Sequence, residues 1–311
     1  MKILNETEWL KHLREHSKSK KYLAMYSTLF DGVVTDPALM VLPIDDHMVH
    51  RGDGVFEAMR VTPSGIYLLR PHLERLFRSA GAIDLKITKT IGELQKICEE
   101  LVSVSKFNNH GVLRLFVSRG PGDFSPNPYS TIGSQIYIVA VDFVSLSEEK
   151  YEKGVSVMLS KVGVKPAPYA TVKSCNYLPN VMMKKESLDA GYDFSVSVTT
   201  DGFLAEGPTE NIMILTAEGE LLAPNFDYTL RGTTLVRALE LAERLKSTPL
   251  IKNIRVGDIH ISELERAREI MMVGTTLSVL PVTKYQNTIV GSGKPGAVAQ
   301  ALRKLVDQDM G

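Results

Sequence analysis

Only two cysteines occur among the 311 residues, Cys98 and Cys175, far apart and in no metal-binding or redox spacing. That scarcity excludes a disulfide framework and fits a reducing compartment. Charge of one sign is not in excess either: Lys+Arg and Asp+Glu are both 36. A balanced chain has no overall pull towards nucleic acid or an anionic membrane, although a single basic cleft remains compatible with it. Long hydrophobic runs are missing too. The longest, Ile136 to Val144, is interrupted by Asp142 and is far too short to span a bilayer. Residues 5–21 are charged and carry acids, unlike a secretory or transit peptide, so the expected location is the cytoplasm. There is no internal repeat, low-complexity tract, Walker loop or Gly-x-Ser-x-Gly elbow. Gly120-Pro-Gly122 lacks the strand–turn–helix setting of a dinucleotide fingerprint. Asp45, Asp46, His47 and His50 cluster in sequence, but their loop offers no further ligand, and no metal site is expected.

What remains is the composition of a globular protein, 44% hydrophobic and 23% charged, long enough for one large domain or two smaller ones. Asn5 followed by Glu8 marks a helix start, and Trp9, Leu10 and Leu13 give that helix one apolar stripe on an otherwise exposed surface. Asp31-Gly32 lies between the apolar runs Tyr22–Phe30 and Val33–Leu42, a hairpin signal because both residues tolerate the positive φ of a tight turn. A second hairpin is expected where Pro63-Ser64-Gly65 separates Val55–Val61 from Ile66–Leu69. Pro71 suits the first turn of a helix with Leu73, Leu76 and Phe77 on its apolar side, and a further helix is expected over Ile91–Val104. Strands Val112–Ser118 and Gln135–Phe143 complete this half, separated by a turn-rich loop from Arg119.

The polar stretch 145–150 reads as a linker. Beyond it, strands are expected at Val155–Leu159, Phe194–Thr199, Asn211–Leu215 and Glu269–Val273, with helices near Leu178–Ala190, Thr233–Leu245 and Ala297–Gln308. The reading is thus a mixed α/β (α+β) chain: a helical extension over 1–21, a smaller domain over 22–144, the linker, and a larger domain over 151–311.

Three local features carry potential chemistry. Gly232-Thr233-Thr234 opens an amphipathic helix, where unpaired N–H groups, the positive dipole end and threonine hydroxyls suit a phosphate monoester. A plain threonine cap explains the same residues. A second triplet, Gly274-Thr275-Thr276, ends a short apolar strand, a common ligand position in α/β proteins. Lys173 precedes an apolar helix containing Leu178, Val181 and Met182. Low dielectric there would lower its pKa and free the amine as a nucleophile, whereas most lysines are solvated stems. Glu206 follows an Asp201-Gly202 turn and precedes an apolar strand, either as an inward carboxylate or as an ordinary loop acid.

Taken in order, these features form one pattern. His50-Arg-Gly-Asp-Gly-Val-Phe-Glu-Ala-Met-Arg60 and His72-Leu-Glu-Arg75-Leu resemble the amino-terminal signature of class IV aminotransferases. Lys173-Ser-Cys-Asn, Glu206-Gly-Pro-Thr-Glu-Asn211-Ile, Leu230-Arg-Gly-Thr-Thr234 and Gly274-Thr-Thr276 continue that family's blocks in order, over about residues 22–290. The resemblance implies a two-domain fold type IV protein of the D-amino-acid aminotransferase-like kind. It also implies pyridoxal 5′-phosphate between the domains, a homodimer, and small-molecule amino acid and 2-oxo acid substrates. It assigns Lys173 the covalent link to the cofactor and the proton transfer between Cα and C4′. Glu206 would face the pyridine nitrogen, and Arg75, Thr233, Thr234 and Thr275 the phosphate, with Asn211 among the cofactor-binding residues. Thr275, Thr276, Phe56 and Arg114 fall at substrate positions. For Arg114 a strand-edge ion pair is an equal alternative.

The chain departs from the family in places. Gly232-Thr-Thr-Leu stands where many relatives have Gly-Ile-Thr-Arg, which leaves Thr233 to act through its backbone. Lys173-Ser-Cys-Asn-Tyr is the shorter spacing of D-amino-acid aminotransferases and aminodeoxychorismate lyases. The Ser118-Arg119 loop is also similar to the lyases, while Val55-Phe56-Glu57 is the transaminase form. The expected activity is ping-pong amino transfer from a branched-chain L- or a D-amino acid. The alternatives are release of pyruvate from 4-amino-4-deoxychorismate to form 4-aminobenzoate, or a relative that binds the cofactor without turnover.

Overall fold

A computed structural model describes all 311 residues, and its contacts divide the chain into two units. The first comprises Met1–Val144 together with the detached segment Lys173–Asn176. Its helices are α1 (Glu6–Ser17), α2 (His47–Arg51), α3 (Leu69–Gly81) and α4 (Ile91–Val104). Its strands are β1 (Tyr22–Ser27), β2 (Gly32–Val34), β3 (Gly54–Thr62), β4 (Gly65–Ile66), β5 (Gly111–Ser118) and β6 (Gln135–Asp142). They form one antiparallel sheet in the order β2-β1-β6-β5-β3-β4.

The alternation of strand side chains explains how the sheet is covered. On β3 the set Val55, Glu57, Met59 and Val61 is buried, as are Leu113, Leu115 and Val117 on β5. α3 and α4 contribute Leu73, Leu76, Leu94, Cys98 and Leu101 to the same core. α4 begins with a capping box between Thr90 and Glu93, and α1 with one between Asn5 and Glu8. No residue of α1 is buried; its ion pair from Arg14 to Asp36 lies on the surface.

Lys173–Asn176 runs antiparallel to the start of β3. The Phe56 N–H donates to the Lys173 carbonyl at 3.0 Å, and the Cys175 N–H to the Gly54 carbonyl at 2.8 Å. This differs from the expected domain division, which assigned the segment to the larger half. Pairing between residues more than a hundred positions apart leaves no local signal. Gly52 ends α2 in the left-handed region at φ 67°, and a Cβ there would lie 3.0 Å from the Asn176 Cα, so backbone strain and space both require glycine.

The second unit comprises Ser145–Val172 and Tyr177–Gly311. Its helices are α5 (Glu148–Lys153), α6 (Leu178–Asp189), α7 (Thr233–Ala242) and α8 (Ala297–Met310). Its strands are β7 (Val155–Leu159), β8 (Phe194–Val196), β9 (Asn211–Leu215), β10 (Glu220–Pro224), β11 (Asn253–Gly257), β12 (Glu269–Gly274), β13 (Ser278–Tyr285) and β14 (Thr288–Ile289). The sheet runs β11-β10-β9-β12-β13-β7-β8, with β14 on β13. The β10–β11, β7–β13 and β7–β8 pairs are parallel and the others antiparallel. Val157, Val196, Leu204, Ile212, Ile214, Met272 and Leu280 are among its core. Glu269 projects from β12 to the amino end of α8, where its two oxygens accept from the N–H groups of Val298 (3.0 Å) and Ala299 (2.8 Å). A carboxylate there satisfies orphan donors and complements the helix dipole.

Three expectations change. The linker read over 145–150 is partly helical, because Glu148 and Glu149 in the first turn of α5 and Lys150 and Lys153 in its last complement the dipole. The apolar residues of α6 from which low dielectric was expected, Leu178, Val181 and Met182, are exposed at 67%, 55% and 42%, while Met183 and Ser187 are buried. β10, β11 and β13 are strands that the pattern did not announce. Ser278–Val282 of β13 is buried without alternation and contains Pro281, which removes the two-residue period and a ladder donor.

Candidate active site

In the first unit, Lys173 is half-buried and its backbone is held on both sides. Besides the bond from Phe56, its own N–H donates to the Ser79 hydroxyl of α3 at 3.2 Å. Its Nζ stands 4.7 Å from the centroid of the Phe56 ring, which stacks on Phe116 at 5.9 Å. A cation over an aromatic face is electrostatically favoured. Register places Arg114 opposite Ala58 and Phe116 opposite Phe56, so Arg114 shares the Phe56 face of the sheet. Arg114 is exposed there.

Arg75 lies at the centre of a buried cluster that local motifs alone did not reveal. Its Nε and Nη2 donate to the two oxygens of Glu57 at 2.7 and 2.6 Å, and His72 Nδ1 donates to Glu57 Oε2 at 2.8 Å. Glu57 and His72 are wholly buried and Arg75 is 5% exposed. Burial pushes the Glu57 carboxyl up, but the Arg75 guanidinium and its hydrogen bonds, with help from His72, outweigh it and hold the group at about 2. Burial likewise pulls the His72 imidazole below its ordinary range and favours its neutral form, against the attraction of Glu57. The signal that reveals Glu57 in sequence is its position: an acid at an inward-facing step of an apolar strand needs partners. His72 and Arg75, three residues apart on one helix, are of the right type and spacing.

The second unit gathers four sequence blocks at one end of its sheet. Glu206 is half-buried, and its Oε2 accepts from Asn211 Nδ2 at 3.3 Å and from the Leu230 N–H at 3.0 Å. Asn211 Nδ2 also donates to the Leu230 carbonyl at 2.9 Å, which ties the start of β9 to the approach to α7. Gly232 caps α7, and a Cβ on it would fall 1.8 Å from Asn211 Oδ1, so only glycine allows this contact. Opposite Asn211 on β12 stands Val273, and the turn Thr275–Leu277 joining β12 to β13 follows directly. Thr275 is half-buried and Thr276 exposed. Lys165 approaches Glu206. Burial lowers its pKa and the Glu206 charge opposes that shift. Sequence reading assigned no part to Lys165 or Ser79.

This donor set fits an anion. The first N–H groups of a helix lack acceptors within it, and the positive end of the dipole lies among them. Thr234 is 2% exposed, and its hydroxyl is buried at the amino end of α7 with no hydrogen-bond partner. An orphaned buried hydroxyl costs about 1–3 kcal/mol unless a ligand satisfies it. Thr233 is buried beside it. The loop of Asp45, Asp46, His47 and His50 is occupied otherwise. Asp46 accepts from the Ser118 and Tyr137 hydroxyls and caps α2, while His47 Nε2 meets the Asp123 carbonyl at 3.0 Å.

Comparison with known proteins gives the family. The chain is 38% identical over 309 residues to the chloroplastic D-amino-acid transaminase of Arabidopsis thaliana, covering 99% of this chain and 82% of that protein. It is 28% identical to the D-alanine aminotransferase of Bacillus licheniformis, covering 91% and 96%. The putative branched-chain-amino-acid aminotransferase of Methanocaldococcus jannaschii is 25% identical, covering 88% and 93%. Among solved structures, the branched-chain amino acid aminotransferase of Escherichia coli superposes with a TM-score of 0.83. The match covers 92% of this chain and 93% of that one at 24% identity, and shows a shared fold. Residues 54–285 match the family described as amino-transferase class IV. The chain is therefore a transaminase of the class IV aminotransferase family.

Proposed function

We propose that the protein transfers the amino group of a D-amino acid to a 2-oxo acid, with pyridoxal 5′-phosphate as its cofactor. The observation that carries the cofactor assignment is the unpartnered Thr234 hydroxyl at the amino end of α7, four residues beyond the Leu230 carbonyl that Asn211 bridges to the Glu206 carboxylate. When bound, pyridoxal phosphate supplies an aldehyde that captures amines covalently and a ring that accepts the electrons left at Cα. Lys173 Nζ would hold that aldehyde and would carry the proton to and from the substrate carbon. Glu206, held by Asn211 and the Leu230 N–H, keeps a proton on the ring nitrogen. Thr233, Thr234, Thr275 and Arg75 hold the phosphate. Nε and Nη2 of Arg75 engage Glu57, which fixes the plane of the guanidinium. The turn N–H groups at Thr275 and Thr276 and the Phe56 ring orient the substrate, and the exposed Arg114 receives a carboxylate.

The D-configuration is supported by the 38% identity to the Arabidopsis D-amino-acid transaminase, against 25% for the archaeal branched-chain relative. The short Lys173–Asn176 spacing supports it too. The same reading includes a homodimer and a cytoplasmic location. Exposed apolar side chains on α6 (Leu178, Val181, Met182, Leu188) support the first, and two free cysteines the second. A screen of D- and L-amino acids against 2-oxoglutarate and pyruvate tests the donor. D-amino acids should bleach the visible absorption of the bound cofactor and yield the new amino acid. Response to L-leucine alone would move the assignment to branched-chain substrates, release of 4-aminobenzoate from aminodeoxychorismate would make the protein a lyase, and no response to any amine would defeat transamination.

A further inference from the structure

Glu57 occupies a place where an apolar residue would ordinarily stand. Its neighbours on the same face of β3, Val55, Met59 and Val61, are all in the core. Burying an ion pair there costs several kcal/mol per ion before any attraction is counted, and an apolar replacement of similar volume is often as stable. Core filling alone therefore does not account for the cluster. Its geometry suggests a purpose. Two parallel bonds from Nε and Nη2 of Arg75 to the two oxygens of one carboxylate fix the guanidinium plane as well as its position. His72 Nδ1, from the preceding turn of α3, fixes the carboxylate in turn. An unrestrained arginine loses rotamer freedom when it grips a ligand; one already locked does not.

We infer that Glu57, seated by His72, is a positioning residue that locks the plane of the Arg75 guanidinium for the cofactor phosphate. This rests on the pyridoxal phosphate reading given above. It makes a specific demand: the contribution of Glu57 must be confined to the phosphate and absent from the rest of the cofactor.

Equilibrium titration of the cofactor-stripped, full-length protein with pyridoxal 5′-phosphate and with pyridoxal, which lacks the phosphate, isolates that contribution. The quantity read is the ratio of the two dissociation constants. Glu57→Gln keeps the shape but loses the charge. It should reduce the preference for the phosphorylated form about 10- to 100-fold, the range that outer-shell partners command at other bound groups. Pyridoxal affinity should stay within about 2-fold, which is below 0.5 kcal/mol. The ³¹P resonance of the bound phosphate should shift in the variant. Combining Glu57→Gln with Arg75→Lys should weaken binding little beyond Arg75→Lys alone, because both act through one contact. Equal weakening of both ligands, an unmoved ratio, or additive effects of the two substitutions would each overturn the inference. If Glu57→Gln does not fold, Glu57→Asp serves, since it retains the charge and shortens the reach. The ratio should then fall about 3- to 10-fold, and an unchanged ratio overturns the inference equally. Borohydride reduction separates the two levels. A pyridoxyl adduct on Lys173 with an unmoved ratio removes only the role of Glu57, whereas no adduct in the wild-type protein removes the cofactor reading.

Discussion

Replacing Lys173 with alanine should lower the rate of amino transfer by about 10³-fold or more while leaving the protein folded. A positioned general acid–base is worth about 10²–10⁴-fold, and loss of the covalent link to the cofactor adds to that. The folded state should survive because alanine keeps the backbone bonds that tie this segment to β3 and α3. The Lys173 N–H meets Ser79 and its carbonyl accepts from Phe56. The side chain is half-buried and contributes little to the core. Stopped-flow measurement of the first half-reaction, with thermal unfolding of the same sample as control, checks this. Retention of more than about a tenth of the wild-type rate would exclude Lys173 as the proton carrier.

Acid should unfold the first unit through Glu57 more than through any exposed carboxylate. Its pKa is about 2 in the folded protein against an ordinary 4.5. A carboxyl with a depressed folded pKa contributes stability in full above its unfolded value, and that stability disappears as pH falls through the folded value. The difference amounts to about 3 kcal/mol, lost between about pH 5 and pH 2. His72 acts in the same direction at higher pH. Burial holds it below its usual range, so stability present above the ordinary histidine pKa declines once the buried imidazole is forced to take a proton. Urea unfolding of wild type and Glu57→Gln at a series of pH values isolates the carboxyl. The gap between the two proteins should narrow steadily below about pH 5. A gap that is constant from pH 7 to pH 3 would show that Glu57 is not ionised by its partners as described.

How much of this was legible beforehand depends on the distance over which each feature is encoded. α4 was readable over Ile91–Val104 because apolar spacing and the Thr90–Glu93 box are local. The Asn5 start of α1 was readable for the same reason. The Gly-Thr-Thr blocks announced a helix start and a strand end, and α7 and the β12–β13 turn lie there. What local pattern did not contain is the pairing that joins those blocks: Asn211 bridging to Leu230, or Lys173 returning to β3. α6 misled because its apolar residues are exposed, where an apolar helix beside Lys173 reads in sequence as low dielectric. Glu57 lay between. Its inward position was visible in the alternation of β3, yet its meaning required knowing which helix covers that face.

The central claim is that the Lys173 amine bonds the cofactor aldehyde. Borohydride reduction of the cofactor-loaded protein, followed by proteolysis and peptide mass mapping, addresses it without reference to substrate. The account requires a pyridoxyl group on the peptide that contains Lys173. A pyridoxyl group on another lysine, or on none, would contradict it.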